Sequence, residues 1–441
     1  MEHKHGSIAS AFHGLDIPSY DVLVNCMHCG LCLPTCPTYA LTGLEKSSPR
    51  GRIRLIKSVA DGDLSITPGF IDEMNFCLDC QACETACPAG VKYGSLVEAA
   101  RAQISDQGRE TLSRRMSKRI LLDWLFRKQS RLKMLARGLR LYEGFGLKRL
   151  VSRSGLLKVI SNKLHRLQPL SPTISDQFSS DTLPEIIRPK GRPRFRVGFL
   201  TGCIMDVAYA DVNLDTIKLL LYHDCEVVIP KGQACCGSLQ AHNGERSAAR
   251  RMAHANVDIW GSANVDFIVM NSAGCGAFMK EYGHLFKDDR DIAEKAATIS
   301  LKTKDITEFL VETGFKGDKQ SDTDWLKGKR VTYHDACHLV HSQRISRQPR
   351  ELLQAISGIE FIELPESTWC CGSAGIYNID RYDDSMRFLE RKITNIKKIR
   401  PDIIVTGNPG CLLQMQHGLE REGMNIQLMH TATFLRRACA L

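Results

Sequence analysis

Two cysteine runs near the start of the chain share one internal spacing. Both read C-x2-C-x2-C-x3-C-P, and thiolates at two-residue intervals let a single tight loop supply three ligands to one soft-metal site. Two copies of so specific a spacing indicate one shared chemistry. The runs comprise Cys26, Cys29, Cys32 and Cys36, and then Cys77, Cys80, Cys83 and Cys87.

This spacing holds [4Fe–4S] clusters in bacterial two-cluster ferredoxins, where the last cysteine of each run serves the other cluster. The sequence therefore predicts two clusters, with the fourth ligand of each borrowed from the opposite run. One set is Cys26, Cys29, Cys32 and Cys87, and the other is Cys77, Cys80, Cys83 and Cys36. Zinc also accepts four thiolates, but zinc sites pair two C-x2-C units and need no third cysteine at that interval.

Eight more of the 18 cysteines lie in an internal repeat of the C-terminal half. Equivalent cysteines are offset by 134 (203 to 337), 135 (235 to 370) and 136 (275 to 411) residues, which indicates duplication. Strands and helices alternate in each copy, so we expect two α/β units with mostly parallel sheets. The first copy holds Cys203, Cys235, Cys236 and Cys275, and the second holds Cys337, Cys370, Cys371 and Cys411.

Each repeat gathers its cysteines where parallel sheets bind ligands, beyond the carboxyl ends of strands. Gly237 and Gly372 follow the adjacent cysteine pairs, and a positive φ there would aim neighbouring sulfurs at one site. Four soft ligands could hold an iron–sulfur cluster, a zinc ion or no stable metal, and these alternatives stay open. His334, His338 and His341 flank Cys337 as possible ligands or proton carriers, although core histidines are the simpler interpretation.

The 441 residues and ordinary hydrophobic content of 43% predict an α+β protein of several domains. We expect an α-helical ferredoxin-like domain over 1–108, a basic helical connector and linker over 109–194, and α/β repeats over 195–325 and 326–441. No apolar run approaches the roughly 18 residues that span a bilayer. The N-terminal residues Met1-Glu-His-Lys-His include no apolar signal region, so we expect a cytoplasmic location without disulfides.

The positive charge is concentrated in the connector. Residues 101–194 contain 22 Lys plus Arg and 7 Asp plus Glu, a net of 22 − 7 = +15, against +10 for the whole chain. Residues 110–166 read as helical throughout, with an apolar stripe of Met116, Ile120, Leu121, Trp124 and Leu125 among basic residues. Such a helix can lie on an anionic membrane or pack on its own protein or a partner. No nucleic-acid-binding motif accompanies the charge.

A helix is also predicted between the two cysteine runs, with Ile53, Leu55, Ile56 and Val59 on one side. Its neighbours Arg50, Arg52 and Arg54 would either stabilise an anionic cluster or form a solvated helix face. A second helix is predicted over residues 95–104.

The repeats resemble the cysteine-rich CCG domain of heterodisulfide reductases, which can carry non-cubane [4Fe–4S] clusters or zinc. The fullest form of that domain ends in C-x2-C, whereas here Phe278 and Gln414 occupy the last position. Residues 20–440 together resemble the iron–sulfur subunit of bacterial glycolate oxidase. Motifs that carry this resemblance are residues 48–53 (Ser-Pro-Arg-Gly-Arg-Ile), 271–276 (Asn-Ser-Ala-Gly-Cys-Gly) and 333–338 (Tyr-His-Asp-Ala-Cys-His).

The resemblance implies an electron-transfer subunit that passes electrons from FAD-binding subunits, which convert glycolate to glyoxylate, to a quinone-type acceptor. It also implies peripheral contact with the cytoplasmic face of the inner membrane. The chain has no G-x-G-x-x-G dinucleotide fingerprint, so we do not expect it to be catalytic alone. Equivalent subunits of anaerobic glycerol-3-phosphate, lactate or heterodisulfide-type oxidoreductases are alternatives, and a zinc-stabilised scaffold is the non-redox alternative.

Overall fold

The N-terminal region is helical in the computed structural model, which describes residues 10–146, 151, 158, 161–317 and 324–441. The predicted helix between the cysteine runs is present as Pro49–Ala60, and the second predicted helix is Tyr93–Asp106. Ile53, Ile56 and Val59 pack in the core of this region, as their spacing predicts. The other helices here are Tyr20–Val24, Pro37–Thr42, the short 3-10 turn Glu45–Ser47, Pro68–Phe76 and Ala82–Thr85.

The connector departs from the predicted continuous helix. It breaks at Lys128, whose backbone is extended (φ −123°, ψ 117°), so the helix that ends at Leu125 does not continue into the helix that begins at Gln129. Part of the prediction, over residues 147–150, 152–157 and 159–160, falls outside the described residues. The described segments are Leu112–Lys118, the π-helix Arg119–Leu125, Gln129–Gly144, Asn162–Leu167, the 3-10 turn Gln168–Leu170 and Ser179–Thr182.

The predicted apolar stripe of the connector is divided between core and surface. Leu125 is buried, as is Leu122, whereas Met116, Ile120, Leu121 and Trp124 are exposed. The basic residues are divided too, because Lys118 is buried and donates to Glu110 and to the Asn243 carbonyl at 2.6 Å each. Lys118 is thus a structural residue rather than part of a solvated basic face.

Two sheets form the C-terminal part, and the prediction of mostly parallel strands is confirmed. The strands are β1 Ile186–Ile187, β2 Phe195–Phe199, β3 Cys225–Val228, β4 Phe267–Met270, β5 Thr303–Asp305, β6 Arg330–Tyr333, β7 Glu360–Phe361, β8 Ile403–Thr406 and β9 Gln427–His430. Their orders are β1-β3-β2-β4-β5 and β7-β6-β8-β9, and among the described strands only the β1–β3 pair is antiparallel. Strand β1 comes from the predicted linker.

Helices cover both sheets, and one hydrophobic core runs through the two repeats. The first repeat contains helices Ile204–Ala208, Ala210–Tyr222, Ser238–His242, Arg246–Ser262, Ala273–Lys280, Tyr282–Leu285, Ala293–Lys302 and Ile306–Glu312. After the 3-10 turn Asp324–Leu326, the second contains the π-helix His338–Ser342 and helices Arg347–Gln354, Tyr377–Asp380, Tyr382–Ile399, Pro409–Arg421 and Thr431–Ala438.

The two repeats pack with approximate two-fold symmetry. The last helix of each repeat, Ile306–Glu312 or Thr431–Ala438, packs on a helix of the other, Arg347–Gln354 or Ala210–Tyr222. Asp305 and His430 cap the N-termini of these last helices at equivalent positions, and each side chain accepts a backbone N–H of its own helix. This pairing brings the strand ends of both sheets, and the cysteines after them, to one side of the molecule.

Candidate metal centres

The two cysteine loops of the N-terminal region curl in the same way. Positive φ values occur at His28 (54°) and Gly30 (86°), and at the equivalent Asp79 (52°) and Gln81 (59°). Each position lies two or four residues after the first cysteine of its run. Left-handed backbone is costly for residues other than glycine, so its recurrence at His28, Asp79 and Gln81 shows that loop geometry dominates local preference.

The first loop and the last cysteine of the second share a cavity. Cys26, Cys29 and Cys32 line it together with Cys87, the ligand that the crossed assignment borrows, and Cys83 also reaches it. The Val91 N–H donates to the Cys87 sulfur at 3.4 Å. Five thiols around one cavity suit a soft metal site, and the division of ligands between two clusters remains a prediction.

The second loop is buried. Cys77, Cys80 and Cys83 are 8%, 9% and 7% exposed. Burial raises the pKa of the Cys83 thiol well above its ordinary value, and the nearby Cys80, Cys77 and Cys36 raise it further. The structure therefore brings Cys36 close to the second loop. Such thiols become thiolates only beside positive charge, and a coordinated metal supplies it.

Arg52 is a buried cation beside this site. It is fully buried, and it donates to the Glu73 carbonyl at 2.9 Å and to Thr38 Oγ1 at 3.0 Å. Its Nη2 has no hydrogen-bond partner within the described part of the chain. Burial opposes its charge, but nearby Tyr93, Cys77, Cys36 and Glu73 outweigh burial and raise the pKa of Arg52. Nη2 lies 3.6 Å from the Glu73 carboxylate, and this buried positive charge beside the thiols fits an anionic iron–sulfur cluster. Arg52 is therefore not on a solvated helix face, whereas Arg54 is.

In the first repeat the cysteines form two sulfur pairs at the carboxyl ends of β2 and β4. The sulfurs of Cys203 and Cys235 are 3.4 Å apart, and those of Cys236 and Cys275 are 3.2 Å apart. Gly237 has a φ of 94°, and a Cβ there would lie 3.0 Å from the Ala249 carbonyl oxygen. Glycine therefore permits the turn that directs adjacent sulfurs to different partners on one side of the sheet.

The second repeat has an equivalent turn, with Gly372 at φ 93°. The sulfurs of Cys371 and Cys411 are 3.5 Å apart, and a ring nitrogen of His334 lies within 4.8 Å of each sulfur. His334 is buried, and neither ring nitrogen has a hydrogen-bond partner among the described residues. The structure thus adds His334 to one pair of the predicted four-cysteine set.

The other pair of the second repeat faces the second cysteine loop. Cys80, Cys370 and the partly buried Cys337 pack in one cluster with Phe76 and Trp369. After burial, Cys337 is the largest influence that raises the pKa of Cys80. The predicted histidines strengthen this contact, because His338 Nε2 lies 2.9 Å from the Asp79 carbonyl oxygen and His341 Nδ1 lies 2.8 Å from Thr85 Oγ1. Loop two and repeat two therefore form one continuous packed unit.

A charged cluster joins the second loop to the first repeat, and sequence patterns did not predict it. His242 Nδ1 lies 2.6 Å from Glu98 Oε1 and 3.2 Å from Asp79 Oδ2. Burial lowers the pKa of His242, but Glu98 and Asp79 outweigh this and raise it to about 10. Arg101 donates to the carbonyls of His242 and Cys77 at 2.6 Å and 2.5 Å. These partners lie 141 or more residues from His242 in sequence, so no local pattern could identify them.

Family comparisons agree with this arrangement of sites. The description "4Fe-4S dicluster domain" matches residues 23–91, and "Cysteine-rich domain" matches residues 197–280 and 331–416. A third description, "Glycolate oxidase iron-sulfur subunit, linker region", matches residues 113–171. The N-terminal cysteine runs are thus part of an iron–sulfur domain, and the connector has a family description of its own.

Three relatives show how far the likeness extends. The chain is 40% identical over 419 residues to the probable glycolate oxidase iron–sulfur subunit of Bacillus subtilis, with 94% of each chain covered. It is 30% identical to the glycolate oxidase iron–sulfur subunit of Escherichia coli, with 88% of this chain and 89% of the relative covered. Lactate utilization protein A of Oceanobacillus iheyensis is 31% identical over 54% of this chain and 96% of its own length. The chain therefore belongs to the family of glycolate oxidase iron–sulfur subunits.

Proposed function

We propose that this chain is the electron-transfer subunit of a glycolate-oxidising complex, in which FAD-binding partner subunits convert glycolate to glyoxylate. The main supporting observation is that the two cysteine loops differ in exposure, which suggests a path for electrons from the surface to the interior. One loop lies at the surface, the second loop, with the same cysteine spacing, is buried, and the buried loop packs against a cysteine pair of the second repeat. Family membership and the dicluster match support the same conclusion.

The residues that would hold the two clusters are the crossed sets proposed from the sequence. When bound, each [4Fe–4S] cluster accepts and releases one electron, which allows a two-electron flavin to be linked to a separate acceptor. The protein shapes the sites around this chemistry. Tyr93 Oη lies 3.5 Å from the Cys77 sulfur, the Asp79 N–H donates to the same sulfur at 3.3 Å, and Arg52 adds a buried positive charge.

The partner would approach at the first loop. Cys29 is exposed, and Met27 and Leu31 beside it are 68% and 58% exposed. Exposed apolar residues around a redox site suit a protein interface, because their burial stabilises a complex while water is excluded. The second loop is covered by both repeats and offers no comparable surface.

The acceptor side is proposed to be a quinone reached at a membrane surface. None of the helices in the described residues is long and apolar enough to cross a bilayer. Arg119, Arg127 and Lys128 are exposed beside the exposed Ile120 and Trp124 of the connector. Basic and apolar side chains on one helical surface attach proteins peripherally to anionic lipid. Changing the three cations to Gln should reduce sedimentation of the chain with anionic vesicles.

The experiment that tests the function uses the chain purified anaerobically with its flavin partner. Glycolate should bleach the flavin and then the broad visible absorbance of the iron–sulfur chain, and it should reduce an added quinone. In the Cys29→Ser complex the flavin should still be reduced while quinone reduction stops. Quinone reduction at the wild-type rate in that complex would contradict the proposal.

Lactate is the second substrate to compare, because the chain also resembles lactate utilization protein A over 54% of its length. The assay should therefore present glycolate and lactate to the same complex. A clearly higher kcat/KM for lactate would show that the complex oxidises lactate rather than glycolate, and that the flavin partner is a lactate-oxidising subunit.

A further inference from the structure

A large cavity lies between the connector and the two repeats. Its volume is about 690 Å³, within the roughly 300–1,000 Å³ range of pockets that bind small molecules. The π-helix Arg119–Leu125 and helix Gln129–Gly144 form one wall, and the cysteine-bearing ends of both sheets form the opposite wall. The cavity is therefore shared by the connector and both duplicated units.

The inner wall combines sulfur with a few polar groups. Six of the eight repeat cysteines line it: Cys203, Cys235, Cys236, Cys275, Cys337 and Cys411. His338 and Asn408 reach the same wall. A pocket with this composition can orient a ligand that has polar atoms at one end.

The outer wall is apolar and reaches the surface. Leu122, Leu125 and Leu132 are buried in it, whereas Leu121, Leu135 and Leu139 line the cavity and are also 39%, 46% and 37% exposed. Residues that are both lining and exposed mark the mouth of the cavity. The mouth thus opens on the side of the connector that carries exposed leucines.

Exposed basic residues lie on the same part of the connector. Arg119 and Arg137 are exposed on the two helical segments, and Arg127 and Lys128 are exposed at the break between them; Arg137 also pairs with Asp181 at 3.1 Å. Guanidinium and ammonium groups around an exposed apolar surface place that surface at the boundary between lipid headgroups and acyl chains. A molecule dissolved in the membrane could therefore enter the cavity without crossing water.

We propose that this cavity binds a prenylated quinone, with the ring at the cysteine wall and the chain leaving past Leu135 and Leu139. This inference rests on the proposed function and assigns a binding site to the quinone acceptor. Two electrons, which originate from the 2-hydroxy acid oxidised by the partner, and two protons from water convert both quinone carbonyls to hydroxyls. Apolar lining suits the chain, and the polar inner groups suit the carbonyl oxygens.

Binding to the full chain tests the site directly. The probe is decyl-ubiquinone, measured without membranes by quenching of intrinsic fluorescence and by equilibrium dialysis. Leu135→Arg, which places a charge in the mouth, should weaken binding at least tenfold. Met134→Arg is the matched control, because Met134 is the adjacent residue, is 64% exposed and does not line the cavity. It should bind as the wild type does.

A second pair of variants keeps the test decisive if one variant fails to fold. Leu139→Arg should behave like Leu135→Arg, whereas Leu141→Arg, at an exposed residue that does not line the cavity, should leave binding unchanged. Equal weakening in all four variants, or none in any, would overturn the proposed site. Equal displacement of the probe by 1-decanol would also overturn it, because the cavity would then accept any alkyl chain.

Failure of this inference is distinguishable from failure of the proposed function. In the complete complex, glycolate-dependent reduction of ferricyanide should persist in Leu135→Arg while reduction of decyl-ubiquinone falls. If the wild-type chain transfers electrons to ferricyanide but binds no quinone, the cavity assignment is wrong and the electron-transfer function stands. If glycolate reduces neither acceptor in the wild type while the quinone still binds, the proposed function is wrong.

Discussion

The two N-terminal cysteine loops have identical spacing and opposite surroundings. In the first loop Cys29 is exposed and Met27 and Leu31 project toward solvent. In the second loop Cys80 is buried, and the equivalent positions hold Leu78, which is buried, and Ala82, which packs in the same core as Cys370. Spacing sets how each loop curls, but the domains that pack around a loop set what can reach it.

This difference means that one cysteine loop faces a possible partner while the other faces the interior of the chain. Loop one has a surface that a second protein can cover, and loop two has hydrogen bonds to the second repeat and an ion-pair cluster to the first. A charge carrier held in loop two is screened from water, whereas one held in loop one is accessible. Variants of the two loops and their surroundings should separate these roles, from the largest expected effect to the smallest.

Loss of one cysteine from either loop should have the largest effect. Cys29→Ser and Cys80→Ser should each remove about four irons per chain, because each thiolate is assigned to a different four-iron cluster. Iron and sulfide analysis after anaerobic purification measures this. Only Cys80→Ser should also increase hydrogen exchange across residues 81–86, since Cys80 packs against the second repeat. Equal exchange in both variants would contradict the asymmetry.

Arg52→Met should destabilise the buried loop. It removes a fully buried cation that lies 3.6 Å from the Glu73 carboxylate, while Lys46, 3.0 Å from the same carboxylate, remains. Because Glu73 keeps this partner, the expected loss is about 3 kcal/mol, the lower end of the cost of breaking a buried ion pair. Urea titration followed by cluster absorbance measures the loss. Arg54→Met, two residues away on the exposed side of the same helix, should change stability by no more than about 0.5 kcal/mol.

Acid should weaken the attachment of loop two through His341. Burial lowers the pKa of His341 from 6.5 to about 4, so the folded chain holds this ring neutral beside Thr85. The unfolded chain takes up a proton below pH 6.5, and the stability from His341 is therefore lost as pH falls from 6.5 through 4. Between pH 7.5 and 5, the effect of His341 should lower the free energy of unfolding by about 2 kcal/mol.

His341→Gln is the control for that pH effect. Gln can keep a hydrogen bond to Thr85 but does not titrate, so urea midpoints should fall less steeply toward pH 5 than in the wild type. The same pH dependence in both proteins would show that His341 is not responsible.

The smallest effect is expected at the partner surface. Met27→Glu or Leu31→Glu should weaken binding of the flavin partner about tenfold, equivalent to about 1.4 kcal/mol, because a charge replaces buried apolar contact. Binding of the purified partner can be followed by surface plasmon resonance. Leu301→Glu, at an 81% exposed leucine of the first repeat, should have no effect. Loss of binding with Leu301→Glu alone would place the partner elsewhere.

Local patterns predicted much of the architecture. Periodicity located helices Pro49–Ala60 and Tyr93–Asp106, and the repeat offsets predicted two units with parallel sheets. The connector was harder, because nothing local in residues 126–128 indicates the break that the structure shows there. Its apolar stripe was split because helices pack on neighbours that sequence periodicity does not identify.

Sequence by itself determined which side chains are available for metal chemistry, since the spacing of cysteines along a short loop fixes which sulfurs can converge. Tertiary structure alone decided which loop is covered, that His334 joins Cys371 and Cys411, and that Asp79, Glu98 and His242 meet. It also decided that a cavity separates the connector from the repeats. The physical reason is that burial and charge pairing depend on residues far apart in sequence, whose approach is set by the packing of whole domains.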